Sequence, residues 1–349
     1  MKRINLITGK TESGKTRGVM FEEIKKEIDQ GKNFYFIDNK EEYYNRFQEE
    51  LEEQGYKTYL VNLNDPAQSN GLNILRYPYT LYRENNIEAS VELVQSLCKS
   101  ICQSNSSIDS FWENSSSDFL TAIILILFKE AKPEEINLYS VANLLSLIDI
   151  GGTESIEKLR KYLTDLDVMD PIYRLASSTV FAPIETRGGI LSTLKTVLGP
   201  YLGRPQTMEV LSTDELEISK LKEKWAIFFS CRDSRQKVSN IIISQLLHEN
   251  KTRTTETIFV LDNLNKMPTI EFIDELIEYA RVNQTKTYII TNDIEELKSK
   301  YKPYTFNNIE NIIDTEKQSS IQIDQKINCA HYPHFIATNK NIAKLEFLK

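Results

Sequence analysis

Residues 9–16 read Gly9-Lys10-Thr11-Glu12-Ser13-Gly14-Lys15-Thr16, a complete G-x-x-x-x-G-K-[ST] phosphate-binding loop. Each residue type has a job at that spacing. The backbone N–H groups of such a loop turn inward and cradle phosphates. Lys15 supplies the charge that neutralises β and γ phosphates. Thr16 supplies a hydroxyl for Mg²⁺, which keeps most of its waters and takes few protein ligands. The pattern predicts binding of ATP or GTP with Mg²⁺.

A second group lies far along the chain. Thr257-Ile258-Phe259-Val260-Leu261-Asp262 is an apolar run closed by an acid, the form of a Walker B strand whose Asp holds Mg²⁺. The next residue is Asn263. An amide can position water but cannot take its proton at neutral pH, so slow hydrolysis is expected unless another acid, Glu12 or Asp293, serves. Thr291-Asn292 closes the following apolar run, which puts Asn292 where it would sense a γ phosphate or orient water.

These residues need elements to hold them. Strands are expected at 4–8, 34–37, 58–61, 225–230, 257–261 and 287–291, and helices at 16–30, 41–54, 234–250 and 269–283. Gly55 reads as the glycine just past the second helix. Strands alternating with helices imply an α/β fold with a parallel sheet. From about 87 to 200 strand patterns vanish, and helical periods cover 87–103, 110–131, 138–147, 154–165 and 187–201. This middle stretch is expected to be an all-helical insertion. Its longest apolar run, Phe119–Phe128, is too short for a membrane span, which needs about 20 residues, and reads as a buried helix.

The chain has 349 residues and a net charge of −8, which argues against a protein that coats nucleic acid non-specifically. Residues 85–220 hold 11 Lys+Arg against 19 Asp+Glu; the remainder is balanced, 31 against 31. Cys98, Cys102, Cys231 and Cys329 form no disulfide framework, which fits a reducing cytoplasm, and Cys98 and Cys102 are expected in the core. Cys329, His331 and His334 cluster near the end without a fourth ligand or a zinc spacing, so no metal site is expected there.

Taken in order, several segments resemble the conjugative coupling proteins of type IV secretion systems. After the phosphate loop, Phe36-Ile37-Asp38-Asn39-Lys40-Glu41-Glu42 is similar to that family's strand followed by D-P-K-G-E. Gly55-Tyr56, Leu63-Asn64-Asp65-Pro66, Ser69 and Leu72-Asn73-Ile74-Leu75 are similar to its G-Y…L-N-x-x-x-P…S…F-N-P-L run. Phe111-Trp112-Glu113 looks like the start of its all-α domain, and Glu185-Thr186-Arg187 to Leu198 like the helix that ends it. Val260–Leu264, Ala280-Arg281 and Ile289–Asn292 stand where the family has its Walker B strand, a recurrent Arg and a strand ending in Gln. The similarity spans about residues 1–315.

The resemblance implies a RecA-like P-loop NTPase with a mostly parallel central sheet, built from 1–85 and 205–349, with an all-α domain inserted at 86–204. It implies a DNA-translocating ATPase that self-associates into a ring and holds DNA, single-stranded for preference, in a pore. Its partners would be the relaxosome and type IV secretion proteins. A neighbouring subunit would supply Arg281, or Arg187, to the transferred phosphate. The chain departs from the family in having Asn263 for Glu and Asn292 for Gln. The phosphate loop starts eight residues after Met1. The usual N-terminal anchor is therefore expected to be missing, by nature or by trimming, with placement at the inner face of the cell membrane through partners. The alternative function is an ATP-binding assembly module that recruits partners and barely hydrolyses. A segregation or packaging motor is disfavoured by the segments at 36–42 and 111–113. Ser69–Gly71 and Ser104–Ser107 read as surface loops that a pore could also use.

Overall fold

The computed structural model describes residues 3–315, apart from 104–109, 223, 253–255, 271, 284, 303–304 and 310. In chain order, β1 (Ile4–Thr8), α1 (Phe21–Ile28), β2 (Asn33–Ile37), α2 (Glu42–Glu53) and β3 (Lys57–Asn62) come first. Seven helices follow: α3 (Arg76–Arg83), α4 (Ile87–Cys102), α5 (Ser110–Glu130), α6 (Leu138–Thr164), α7 (Pro171–Val180), α8 (Ile184–Leu202) and α9 (Pro205–Val210). The alternating pattern then resumes with β4 (Trp225–Ser230), α10 (Val238–Thr252), β5 (Thr257–Leu261), α11 (Ile273–Val282), β6 (Thr287–Thr291), α12 (Ile294–Lys300) and β7 (Asn311–Asp314). The described residues divide into two compact units, 3–70 with 220–315, and 71–219.

The first unit is built on a seven-stranded sheet of order β3-β4-β2-β5-β6-β1-β7, every recorded pairing parallel. Strands β2, β4, β5 and β6 are buried at every residue, as parallel strands covered on both faces must be. On one face Phe36 stacks on Phe228, with centroids 4.6 Å apart, and on Tyr43 of α2 at 5.4 Å. Phe21 of α1 meets Tyr43 and Phe47 edge-on at 5.9 and 5.2 Å. On the other face Tyr35, Phe259 and Tyr279 of α11 form a second aromatic row. Burying each such ring stabilises the unit by about 1.5–3 kcal/mol.

The second unit is a helical bundle around α5. Phe119–Phe128 is buried at every position because α4, α6, α7 and α8 surround it. Cys98 and Cys102 are buried on α4 and are not joined in a disulfide. Asn137 caps α6 and Asp170 caps α7, where Pro171 takes the first helical position. The unit takes in α3 and α9, beyond 86–204, because its two ends are zipped together. Leu72 bridges Asp214, Leu216 N–H donates to the Gly71 carbonyl at 2.8 Å, and Arg76 grips Asp214 with two nitrogens at 2.9 and 2.7 Å.

Within α6 the break expected between 138–147 and 154–165 is present: Gly152, at φ 52° and ψ −126°, lies outside helical geometry and separates two helical segments at a kink. Other helices differ from the sequence pattern. The first crossover is not uniform: Lys15–Met20 winds as a π-helical turn before α1 begins. Likewise 234–237 is a 3₁₀ turn leading into α10. Elements α3, α7, α9, α12 and β7 went unread in the sequence. Residues 104–107, and the cluster Cys329, His331 and His334, lie outside the described residues. Among the described residues no helix is long and apolar enough to cross a membrane.

Candidate functional site

Register brings the chemistry to one edge. Ile37 pairs with Leu261, Leu261 with Ile289, and Thr8 with Thr291. The residues just beyond these strand ends therefore share the carboxyl edge of the sheet: Gly9, Asp38, Asp262 and Asn292. A parallel sheet opens its binding crevice at this edge. Here the crevice is a cleft of about 1250 Å³.

The phosphate loop leaves β1 with Gly9 at φ 150° and Gly14 at φ 84°. A side chain at Gly9 would collide with Thr315 Oγ1 and Ser13 Oγ, and Gly14 sits where only a residue without Cβ is comfortable. Ser13 Oγ and Thr315 Oγ1 lie 2.5 Å apart and tie the loop to the residue that follows β7. Lys15 folds back over the loop, donating from Nζ to the carbonyls of Gly9 at 2.5 Å and Lys10 at 2.6 Å. The segment Thr11–Arg17 lines the cleft.

Thr16 Oγ1 donates to Asp262 Oδ2 at 3.4 Å, and Tyr43 Oη donates to the same oxygen at 3.1 Å. The aromatic stack that fixes Tyr43 thus also orients Asp262. Burial pushes the Asp262 carboxyl up to about 6; the Tyr43 hydroxyl pulls it down and Glu42 pushes it further up. Asp38 is buried, and one of its oxygens accepts the Tyr44 N–H at 2.8 Å. Burial raises it to about 7; backbone N–H groups of α2 lower it and the nearby Asp262 raises it. Two acids at adjacent strand ends repel, Asp262 raising the proton affinity of Asp38, and a cation relieves that repulsion. The donor pair there, one hydroxyl and one carboxylate oxygen, suits Mg²⁺, which asks few protein ligands.

Asn263 lines the cleft in the left-handed conformation, φ 58° and ψ 38°, which asparagine tolerates better than most residues. Asn292 lines it from β6. Asp293 is occupied as the cap of α12, accepting the N–H groups of Glu295 and Glu296 at 2.9 Å each. Glu12 sits exposed in the loop at φ 66°. Gly9 and Lys10 frame the site through the carbonyls that hold Lys15. Arg281 does not line the cleft. It is half-exposed on the last turn of α11 and pairs with Glu278 at 3.1 Å. Arg187 is buried in the helical unit, where its guanidinium holds the carbonyls of Val180 and Ala182 at the end of α7.

Sequence reasoning missed Tyr43, Asn265, Arg232 and Gln236. Arg232 and Gln236 reach the cleft from the end of β4, where Cys-Arg-Asp-Ser-Arg carries the same apolar-strand-then-polar signature as the other strand ends. Arg232 is set by Nε donating to the Asn39 carbonyl at 2.9 Å. Ser69 is not a free loop residue: it is buried, and its Oγ accepts the Asn62 N–H at 2.9 Å.

No individual curated protein matches the chain significantly. Solved structures do. TrwBΔN70, a bacterial conjugative coupling protein in complex with sulphate, aligns with 90% of this chain and 70% of its own, at 12% identity and a TM-score of 0.57. The plasmid coupling protein TrwB in complex with ADP and Mg²⁺ aligns over 88% and 67%, at 13% identity and 0.54. VirB4 of Thermoanaerobacter pseudethanolicus aligns over 89% and 77%, at 10% identity and 0.50. At these identities the likeness is one of fold: the RecA-like, P-loop type with an all-parallel sheet and an inserted helical unit. The chain spans about two thirds of the coupling-protein structures, 66% of the unbound TrwBΔN70 chain. A family model, type IV secretory system conjugative DNA transfer, matches residues 4–317, and the chain belongs to that family.

Proposed function

We propose that this chain is the coupling motor of a conjugative type IV secretion system, linking DNA to the transfer channel and driving its transfer with ATP. The observation that carries the reading is the convergence of Lys15, Thr16 and Asp262 on one cleft, in a member of a conjugative DNA transfer family. Gly9–Thr16 cradle the phosphates. Lys15 exchanges its loop carbonyls for phosphate oxygens. Thr16 and Asp262 would hold Mg²⁺, which would supply positive charge against the phosphates. TrwB, of like fold, takes ADP with Mg²⁺ and a non-hydrolysable ATP analogue.

In this reading the site is completed in a ring. Arg281, outside its own cleft and half-exposed, is available to a neighbour's phosphate. DNA is gripped within the ring by a few basic groups, so overall acidity is no obstacle, and binding should weaken with salt. The helical unit, with its excess acid, selects protein cargo or a relaxosome component. Membrane placement comes through partners. A second reading is favoured by Asn263: an ATP-loaded assembly module with little turnover. Steady-state ATPase measurements with and without single-stranded DNA separate the two. Turnover stimulated by DNA supports the motor; tight ATP binding with no turnover under either condition supports the module.

A further inference from the structure

Asn265 lies in the turn after β5, fully buried, between three polar groups from other segments. Its Nδ2 is 2.7 Å from Glu296 Oε2 and 2.7 Å from Asn292 Oδ1. Its Oδ1 is 3.0 Å from Thr291 Oγ1. The orientation of this chain of amides follows from its first member. Glu296 stands at the start of α12, and hydrogen bonds from Lys266, then Asn265, hold its carboxyl below the usual range. An ionised carboxylate only accepts. The Asn265 atom facing it must be the NH₂. The same NH₂ faces Asn292, so the Asn292 atom it meets must be the carbonyl oxygen. That leaves the Asn292 NH₂ turned away from Asn265. Among the described residues no group hydrogen-bonds to it, and Asn292 lines the cleft.

We infer that Glu296, acting through Asn265, locks the Asn292 amide as a hydrogen-bond donor to the terminal phosphate, and that this relay lets the cleft tell a nucleoside triphosphate from a diphosphate. The inference rests on the reading of the cleft as a nucleotide site. Asn265 and Glu296 are positioning residues: neither needs to touch the nucleotide. Left unlocked, the amide would present its oxygen about as readily, and an oxygen there repels a phosphate.

The test reverses the relay without changing its shape or net charge. In the double variant Asn265→Asp/Glu296→Gln, residue 265 can only accept, so Asn292 must turn its NH₂ inward and its oxygen to the cleft. Affinity for the non-hydrolysable imido analogue of ATP, with Mg²⁺, should fall about 10- to 100-fold, the worth of one hydrogen bond to a charged group. Affinity for ADP should stay within about twofold. Asn292→Ala should give a similar selective loss, and Glu296→Ala a smaller one; both remain informative should the double variant misfold. The relay is overturned if the double variant or Glu296→Ala leaves the ratio of the two affinities unchanged, whether both fall together or neither moves. Wild-type protein that binds neither nucleotide would instead sink the reading of the cleft itself.

Discussion

The α/β unit buries its central strands on both faces and keeps its polar groups for one edge; the helical unit buries α5 and leaves apolar side chains outside. Among the described residues the large exposed apolar side chains are Phe111, Leu147, Ile150, Val168, Met169, Phe181 and Ile184 in the bundle, against only Val282 and Ile312 in the α/β unit. Charge divides the same way, with the acid excess confined to residues 85–220. Convergent polar groups around a walled cleft suit a small charged ligand. Apolar side chains scattered over an acidic surface converge on nothing, and suit a protein partner better than bare nucleic acid. The two units should therefore fail separately.

The largest expected effect tests the cleft's weakest chemical part. Asn263→Glu restores an acceptor beside Asp262, and general-base help is worth about 10²–10⁴-fold in rate. The new residue must accept a left-handed backbone, at a cost of about 1–2 kcal/mol. Turnover should rise by about 100-fold with ATP affinity little changed. Wild type and Asn263→Ala both turning over briskly would show that another acid already serves. Next, Lys15→Ala removes charged hydrogen bonds worth about 1.5–3 kcal/mol each, so calorimetry should find nucleotide affinity lowered about 100-fold or more. The unfolding of the helical unit should not move.

A pH series comes third. In the proposed function Asp262 holds Mg²⁺ in its ionised form, so Mg²⁺-dependent nucleotide affinity should drop about tenfold per unit as pH falls below about 6. Stability of the ligand-free protein should run the other way. Asp38 and Asp262 are raised from 3.8 to about 7 and about 6 in the folded chain. Between pH 4 and 7 the folded state therefore binds protons that the unfolded state has released, so acidification from pH 7.5 to 5.5 should raise Tm. Asp38→Asn should flatten that dependence, and an unchanged slope would discount the Asp38 shift. Fourth, a Cβ at Gly189 of α8 would lie 2.5 Å from the Trp112 ring of α5. Gly189→Ala should destabilise the bundle by about 1–3 kcal/mol and leave nucleotide affinity alone; a fall in affinity would break the separation of the two units. Smallest of all, Ile150→Gln on the bundle surface should change stability by no more than about 0.5 kcal/mol.

The legible parts of the molecule were local ones. Gly9–Thr16 carries its whole geometry within eight residues, and the strand before it announces itself by continuous apolar residues. Asp262 and Asn292 were legible because a buried strand that ends in a polar residue marks a sheet edge. Tyr43 was not, since its hydroxyl reaches Asp262 only through a stack on Phe36 that depends on which strands are neighbours. Asn265 looked like one more turn residue until α12 brought Glu296 to it. Arg187 matched a family segment, yet its guanidinium is spent on the end of α7, a helix that the Asp170-Pro171 cap would have revealed. The two halves of α6 were legible as separate helices because Gly151-Gly152 marks a break, and Gly152 is where the backbone leaves helical geometry.

The strand order carries a consequence for synthesis. Strands β1, β2 and β3 are never neighbours: each pairs only with strands from β4 onward, beyond residue 224. The first 62 residues therefore leave the ribosome with no sheet to join. At about 5–20 residues per second, some ten to thirty seconds pass before β4 appears, and the helical bundle is finished first. Throughout that interval Asn33–Ile37 waits as an exposed apolar strand. Newly made chains should lean on chaperones that hold such strands, and a ribosome stalled once residue 219 has emerged, before β4, should yield a folded bundle preceded by an aggregation-prone leader.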